Sequence, residues 1–164
     1  FDLYTSWLDE PGVTICGCGH VENPPPNVSF KNNASLGSAL WINGHDFKSV
    51  LSDLDLVSVK VAEDTYFLLQ MLMRGFGNRV SNEFLFQNKS VNSKKIMSDI
   101  WDTQTFENTL RDHKYIESNT KGFFKVLLDE HGKRIKGGFR NFGKTRVQWK
   151  EAYKSSKFDR SKNT

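Results

Sequence analysis

The stretch from Val57 to Gly75, VSVKVAEDTYFLLQMLMRG, decides the fold of this chain. Val57, Val59 and Val61 alternate with polar residues over a short β-branched run, the period-two pattern of a strand. At Ala62 that pattern ends, two adjacent carboxylates follow (Glu63 and Asp64), and Phe67, Leu68, Met71 and Leu72 then recur at helical spacing. The pattern predicts strand, acidic pair, helix, with Gly75 as the stop and the acids at the helix end whose dipole favours negative charge. An acid at a helix start is ordinarily a cap. Fixed between two packed elements, such a pair also has the constant aim that a general base or a metal ligand requires.

Upstream, SALWI (38 to 42) reads as a strand, Asn43-Gly44 as a tight turn, and HDFKSVLSDLDL as a short amphipathic helix on Phe47, Val50, Leu51 and Leu54. Asp53-Leu54-Asp55 has the DxD form in which two hard oxygen ligands hold a divalent ion. Its place at the end of a helical pattern turns the two acids apart and favours plain surface charge. Nearer the start, Pro11-Gly12 marks a turn and VTIC (13 to 16) a buried strand; the spaced apolars of FDLYTSWLDE decide between neither helix nor strand. Gly17, Gly19 and the Asn-Pro-Pro-Pro run at 23 to 26 predict a long irregular surface segment. Cys16, Cys18 and His20 offer three soft ligands, whereas structural zinc needs four and a second pair is absent from the sequence.

Downstream, Phe76-Gly77-Asn78 turns the chain into a strand over RVSNEFLFQN, with Val80, Asn82, Phe84 and Phe86 on one side. Ser90 to Tyr115 is helical in character, through Ile96, Ile100, Phe106, Leu110 and His113. GFFKVLL (122 to 128) and RIKGGF read as paired strands about a DEHGK turn. In GKTRVQWKEAYK, Lys144, Arg146, Gln148 and Lys150 alternate with Thr145, Val147, Trp149 and Glu151, giving one basic face. The segment from Ser155 lacks the apolar content to order itself. The expected class is α/β, a mixed sheet with flanking helices, as one domain over 1–154 with a disordered basic tail over 155–164.

The chain of 164 residues is long enough for one core, which thirteen Phe and four Trp would fill. No window approaches a membrane span or a signal peptide, and the first residue is Phe1 rather than Met, as in a segment of a longer protein. Two cysteines suit a reducing, intracellular compartment, cytoplasmic or nuclear. Charge is divided along the chain. Residues 1–88 carry five Lys and Arg against ten Asp and Glu, net −5; residues 89–164 carry eighteen against nine, net +9. A basic half beside an acidic one suggests that one face meets a polyanion while the other does something else, such as hold a divalent cation.

The ordered combination of AEDTYFLLQMLMRGFGNRVSNEFLFQNKS with GKTRVQWKEAYK resembles the C-terminal half of GT-A type nucleotide-sugar glycosyltransferases. Within these it is most similar to the phage and eukaryotic TET/JBP-associated glycosyltransferases, which are linked to glucosylation of hydroxymethylated DNA bases. The residues that carry the likeness are Glu63, Asp64, Leu68, Met71, Leu72, Gly75 and Phe76, then Phe86-Gln87, then Arg146 to Lys150. They span about two thirds of the chain in order, though an ED pair before a helix is common in itself.

The resemblance implies a GT-A-like C-terminal half in which Asp64, or second Glu63, is the base that deprotonates an acceptor hydroxyl. It implies a UDP-sugar donor and a divalent metal (Mn or Mg), with Asp53 and Asp55 as the weak candidate ligands, and Gly37 and Ser38 near sugar or acceptor. It departs from the family at the front, where only about fifty-five residues precede the ED region and the nucleotide-binding half is missing or shortened. Neither His113 nor His131 sits in a motif that would complete a metal site; both read as surface histidines. Nucleic acid would be met by Lys144, Arg146 and Lys150, with Arg134 and Arg140 behind them and Trp149 either stacked on a base or in the core. Two other functions fit the same residues: a non-catalytic nucleic-acid-binding domain in which Glu63 and Asp64 only cap a helix, and a metal-dependent nuclease, for which Asp55, Lys60 and Glu63 stand in the wrong order.

Overall fold

The computed structural model describes residues 2–20, 28–36, 40–56, 58–86, 106–133, 135 and 144–160. Two compact units stand where the sequence suggested one domain: Phe1–Asp55 with Phe67–Gln87 and Gln148–Thr164, and Leu56–Tyr66 with Asn88–Val147.

The first unit is built on a four-stranded mixed sheet of order β2-β4-β1-β3, from β1 (Val13–His20), β2 (Phe30–Asn32), β3 (Leu40–Ile42) and β4 (Gly77–Phe86). β1 and β4 run parallel, from Val13 opposite Gly77, and the outer strands are antiparallel to them. Successive strand residues point to opposite faces, so the complete burial of both Ile15 and Cys16 means that β1 is covered on both sides. On one side lies α1 (Asp2–Leu8), whose Tyr4 and Trp7 form a core cluster with Val13 and Cys16; Trp41 stacks on Tyr4 at 4.0 Å. β1 extends through Gly17 and Gly19, beyond the four residues expected. Gly19 fits there because a Cβ would come 3.0 Å from the Ser81 carbonyl oxygen of the neighbouring strand.

Asn43-Gly44 does not make a hairpin turn. Asn43 caps helix α2 (Gly44–Leu51), its side-chain oxygen accepting from the His45 and Asp46 amides, and Asp46 in turn accepts from the Thr14 hydroxyl. Helix α3 (Glu63–Met73) ends as expected at Gly75, whose φ of 88° begins a left-handed stop. The Gly75 amide donates to the Leu72 carbonyl and the Phe76 amide to that of Met71, the paired bonds that close a helix C-terminus. Between these helices the strand expected at 57–61 is absent over 58–61. Val59 and Val61 are buried as the alternation implies, but the Lys60 and Val61 amides donate to the Asp112 carboxylate instead of to a strand.

The second unit contains helix α4 (Phe106–Asn119) and a two-stranded antiparallel ribbon, β5 (Phe124–Val126) with β6 (Thr145–Val147). The remainder of the helical pattern from Ser90 and most of RIKGGF lie outside the described residues. β5 pairs with β6; of RIKGGF only Ile135 is described, and its amide donates to the Leu127 carbonyl while its carbonyl accepts from the Lys144 amide. The alternation read across 144–151 breaks at Gln148, because Trp149 opens helix α5 (Trp149–Arg160). That helix runs past Ser155, where order was expected to end; Ser156 is buried and donates back to the Tyr153 carbonyl.

Candidate functional site

Glu63 and Asp64 occupy the first turn of α3 and are exposed, whereas Tyr66 to Leu72 behind them are buried throughout. One oxygen of Asp64 accepts from the Thr65 amide at 2.6 Å. The residue before the pair, Ala62, has φ 60°, the left-handed region that an L residue with a Cβ seldom occupies, and its carbonyl accepts the Tyr66 amide of the first helical turn.

The two residues before Ala62 are held by Asp112, at 1 % exposure. One carboxylate oxygen accepts from the Lys60 and Val61 amides at 3.0 and 3.2 Å, while the other accepts two guanidinium N–H groups of Arg111 at 2.9 and 3.1 Å. Every one of these groups belongs to the second unit. A buried carboxylate survives only when charge and lone pairs are both answered, as here. Nothing in the sequence pattern singled Asp112 out; it sits as one polar residue among several on an amphipathic helix. Its neighbour His113, expected at the surface, is 4 % exposed and edge-on to Phe124, while His131 is exposed.

Asp53 and Asp55 follow the end of α2, both exposed; Asp53 accepts from the Ser52 hydroxyl. Among the described residues no group of three His, Cys, Asp or Glu side chains converges as metal ligands would. Two exposed carboxylates do not by themselves fit a metal centre. Cys16 and Cys18 are both free thiols; Cys16 is buried, and Cys18 shares a hydrogen bond with the Tyr4 hydroxyl at 3.1 Å.

The basic candidates separate. Lys144 and Arg146 are exposed on the ribbon, where Lys125 stands directly across from Arg146 in the antiparallel register. Lys150 is exposed and Trp149 half-buried, but both belong to α5 and to the first unit. Arg134, Arg140, Gln87, Gly37 and Ser38 lie outside the described residues. Lys125 was missed because it stands in an apolar strand, GFFKVLL, whose alternation marks it as outward-facing but does not say what lies opposite.

One further feature of the first unit went unread in the sequence: a polar cavity of about 270 Å³ at the start of the parallel strands, lined by Asn32, Asn33, Asn78, Arg79 and Tyr153 and by the turn Pro11-Gly12. Gly77 forms part of its wall and has no room for a side chain, since a Cβ would come 2.3 Å from the Gly12 carbonyl oxygen. Among the described residues no helix is long and apolar enough to cross a membrane. No family model, curated protein or solved structure matches this chain.

Proposed function

We propose that this chain is the acceptor-side part of a sugar transferase, with Asp64 as general base and Glu63 as the second choice. The donor is a nucleoside-diphosphate sugar. Asp64 takes the proton of an acceptor hydroxyl, the oxygen attacks the anomeric carbon, and the bond from that carbon to the diphosphate breaks with its electron pair leaving on the diphosphate. The observation that carries this reading is the strained Ala62, which follows two residues whose amides are held by Asp112 and stands immediately before two exposed acids. Left-handed L residues cost about 1 to 3 kcal/mol and gather where a side chain must be aimed. A plain helix cap needs no such support.

The acceptor would be nucleic acid carrying a hydroxylated base, met by Lys125, Lys144 and Arg146. A second reading, a nucleic-acid-binding domain without transfer, draws on the same ribbon. Like charges directly opposite each other on a ribbon repel, and a phosphate between them turns that repulsion into binding.

Asp64→Asn separates the two. Transfer of labelled sugar from UDP-glucose, with and without Mn, to DNA containing hydroxymethylated bases should fall by about 10² to 10⁴ in this variant. DNA affinity should hold or rise. Unchanged transfer in Asp64→Asn and in Glu63→Gln would dispose of the base assignment, and loss of both DNA affinity and the folded circular-dichroism signal would reduce the pair to a structural cap.

A further inference from the structure

Neither acid of the pair lines the cavity of the first unit, where unused donors predominate. Asn78 is engaged through both ends of its amide: its side-chain oxygen accepts the Ala34 amide and its nitrogen donates one N–H to the Ala34 carbonyl, both at 2.9 Å. The oxygens of the other two amides are used as well, that of Asn33 by the Asn78 amide at 3.3 Å and that of Asn32 by Arg79 Nε at 3.2 Å. Arg79 gives Nη1 to Glu10 and has its guanidinium over the Phe30 ring at 4.3 Å. Left without an acceptor among the described residues are Asn32 Nδ2, Asn33 Nδ2 and Arg79 Nη2. All are donors.

A side chain that is 10 % exposed, as that of Arg79 is, gets little help from water for an unused N–H. Glu10 answers part of its charge but does not line the cavity, and Glu10 is itself half-exposed. A hydroxyl-rich ligand would have to place its own protons on amide oxygens that already accept one bond or on the Tyr153 hydroxyl. A ligand group that only accepts meets all three donors, and a charged one gains the stronger, charge-assisted bond to the guanidinium. Asn33 holds φ 51° and Gly12 φ 84° on the cavity wall, so the backbone that shapes it is not a relaxed strand end.

We propose that this cavity binds an oxyanion, the carboxylate or phosphate group of a small molecule or of a larger one, through Arg79, Asn32 and Asn33.

The test is a titration of ¹⁵N-labelled chain with inorganic phosphate and, separately, sodium acetate at constant ionic strength, followed at the Asn32 and Asn33 side-chain amides and Arg79 Nε. Saturable shifts at all three with either anion are expected, and the stronger of the two names phosphate or carboxylate as the preferred group. Asn33→Asp keeps the oxygen that accepts the Asn78 amide and tolerates the left-handed backbone, but replaces the donor by a negative charge; the apparent Kd should rise at least about tenfold with the melting temperature little changed. Asn32→Asp makes the same exchange at an exposed position and serves if Asn33→Asp does not fold. No saturable shift with either anion overturns the proposal. So does an equal response to glycerol, or unaltered anion affinity in the folded Asp variants.

Discussion

Ala62 is the residue at which strain and the acidic pair meet, and glycine is the substitution that isolates the strain. Ala62→Gly removes the Cβ that disfavours φ 60° while adding unfolded-state entropy of about 0.5 to 1 kcal/mol. These terms nearly cancel or leave a gain, so urea denaturation should show stability unchanged or raised by up to about 1 kcal/mol. If the strain serves to aim Asp64, sugar transfer should fall in the same variant; a variant both more stable and fully active would leave Ala62 without a role in aiming. Cys16 is the other informative residue. Burial pushes its thiol up from about 9 to about 11, with Cys18 adding to the rise and Arg79 opposing it. The Tyr4 hydroxyl is raised in the same direction, first by burial and then by its hydrogen bond to Cys18. A group whose folded pKa lies above its unfolded one contributes stability that is complete below the unfolded value and is lost as pH rises through the folded value. Denaturation midpoints should therefore fall between about pH 9 and 11, by at most about 1.4 kcal/mol per pH unit per group. Cys16→Ala lowers stability at every pH and flattens that slope; an unaltered slope would exclude Cys16 as its source.

At the scale of the element, β1 and β4 approach so closely at their starts that one position admits only glycine. In Gly77→Ala the new Cβ meets the Gly12 carbonyl 2.3 Å away, and backbone must move on the strand opposite Val13. A loss of more than about 3 kcal/mol, or no folded protein, is expected from such a backbone clash. Gly44→Ala is the opposite case, a helical position with open space around it, and should stabilise by about 0.4 to 1 kcal/mol. Comparable effects at both positions in thermal melts would contradict the parallel pairing at its root. The elements also show where patterning suffices. α3 was legible, because Phe67, Leu68, Met71 and Leu72 recur at helical spacing and Gly75 supplies the stop, although Tyr66, Leu69 and Gln70 between them are buried as well. The run at 57–61 was not, since Val59 and Val61 are buried but the Lys60 and Val61 amides are satisfied by a carboxylate about fifty residues further on, a partner that local periodicity does not encode. Asn43-Gly44 failed for a related reason: a turn dipeptide and a helix cap use the same residue, and here the Asn43 side chain caps the helix that follows, with Thr14 bonding Asp46 in its first turn. The acids at 63 and 64 could thus be read from sequence, while Asp112 and the three cavity donors could not, being brought together only by the fold.

At the scale of the whole chain, the basic half seen in the sequence does not fall on one unit. Lys125, Lys144 and Arg146 share the β5–β6 ribbon of the second unit, whereas Lys150 and Trp149 belong to the first. If nucleic acid is met by the ribbon, each cation there releases counterions from the phosphates it contacts, and each contributes a slope of about −0.9 in log K against log salt on duplex DNA. The variant Lys125→Gln/Lys144→Gln/Arg146→Gln should then lose affinity at low salt and make the slope shallower by about 2.7, three times the single-contact value. Lys150→Gln is the comparison, expected to leave the slope within about 0.3 of the parent, well under one contact. Fluorescence anisotropy on one duplex at several salt concentrations measures both. A slope that Lys150→Gln flattens as much as each ribbon substitution would spread the contact over both units. A slope that the triple variant leaves alone would remove the ribbon from nucleic-acid binding, and with it the reason to look for the acceptor hydroxyl on DNA rather than on a neutral molecule.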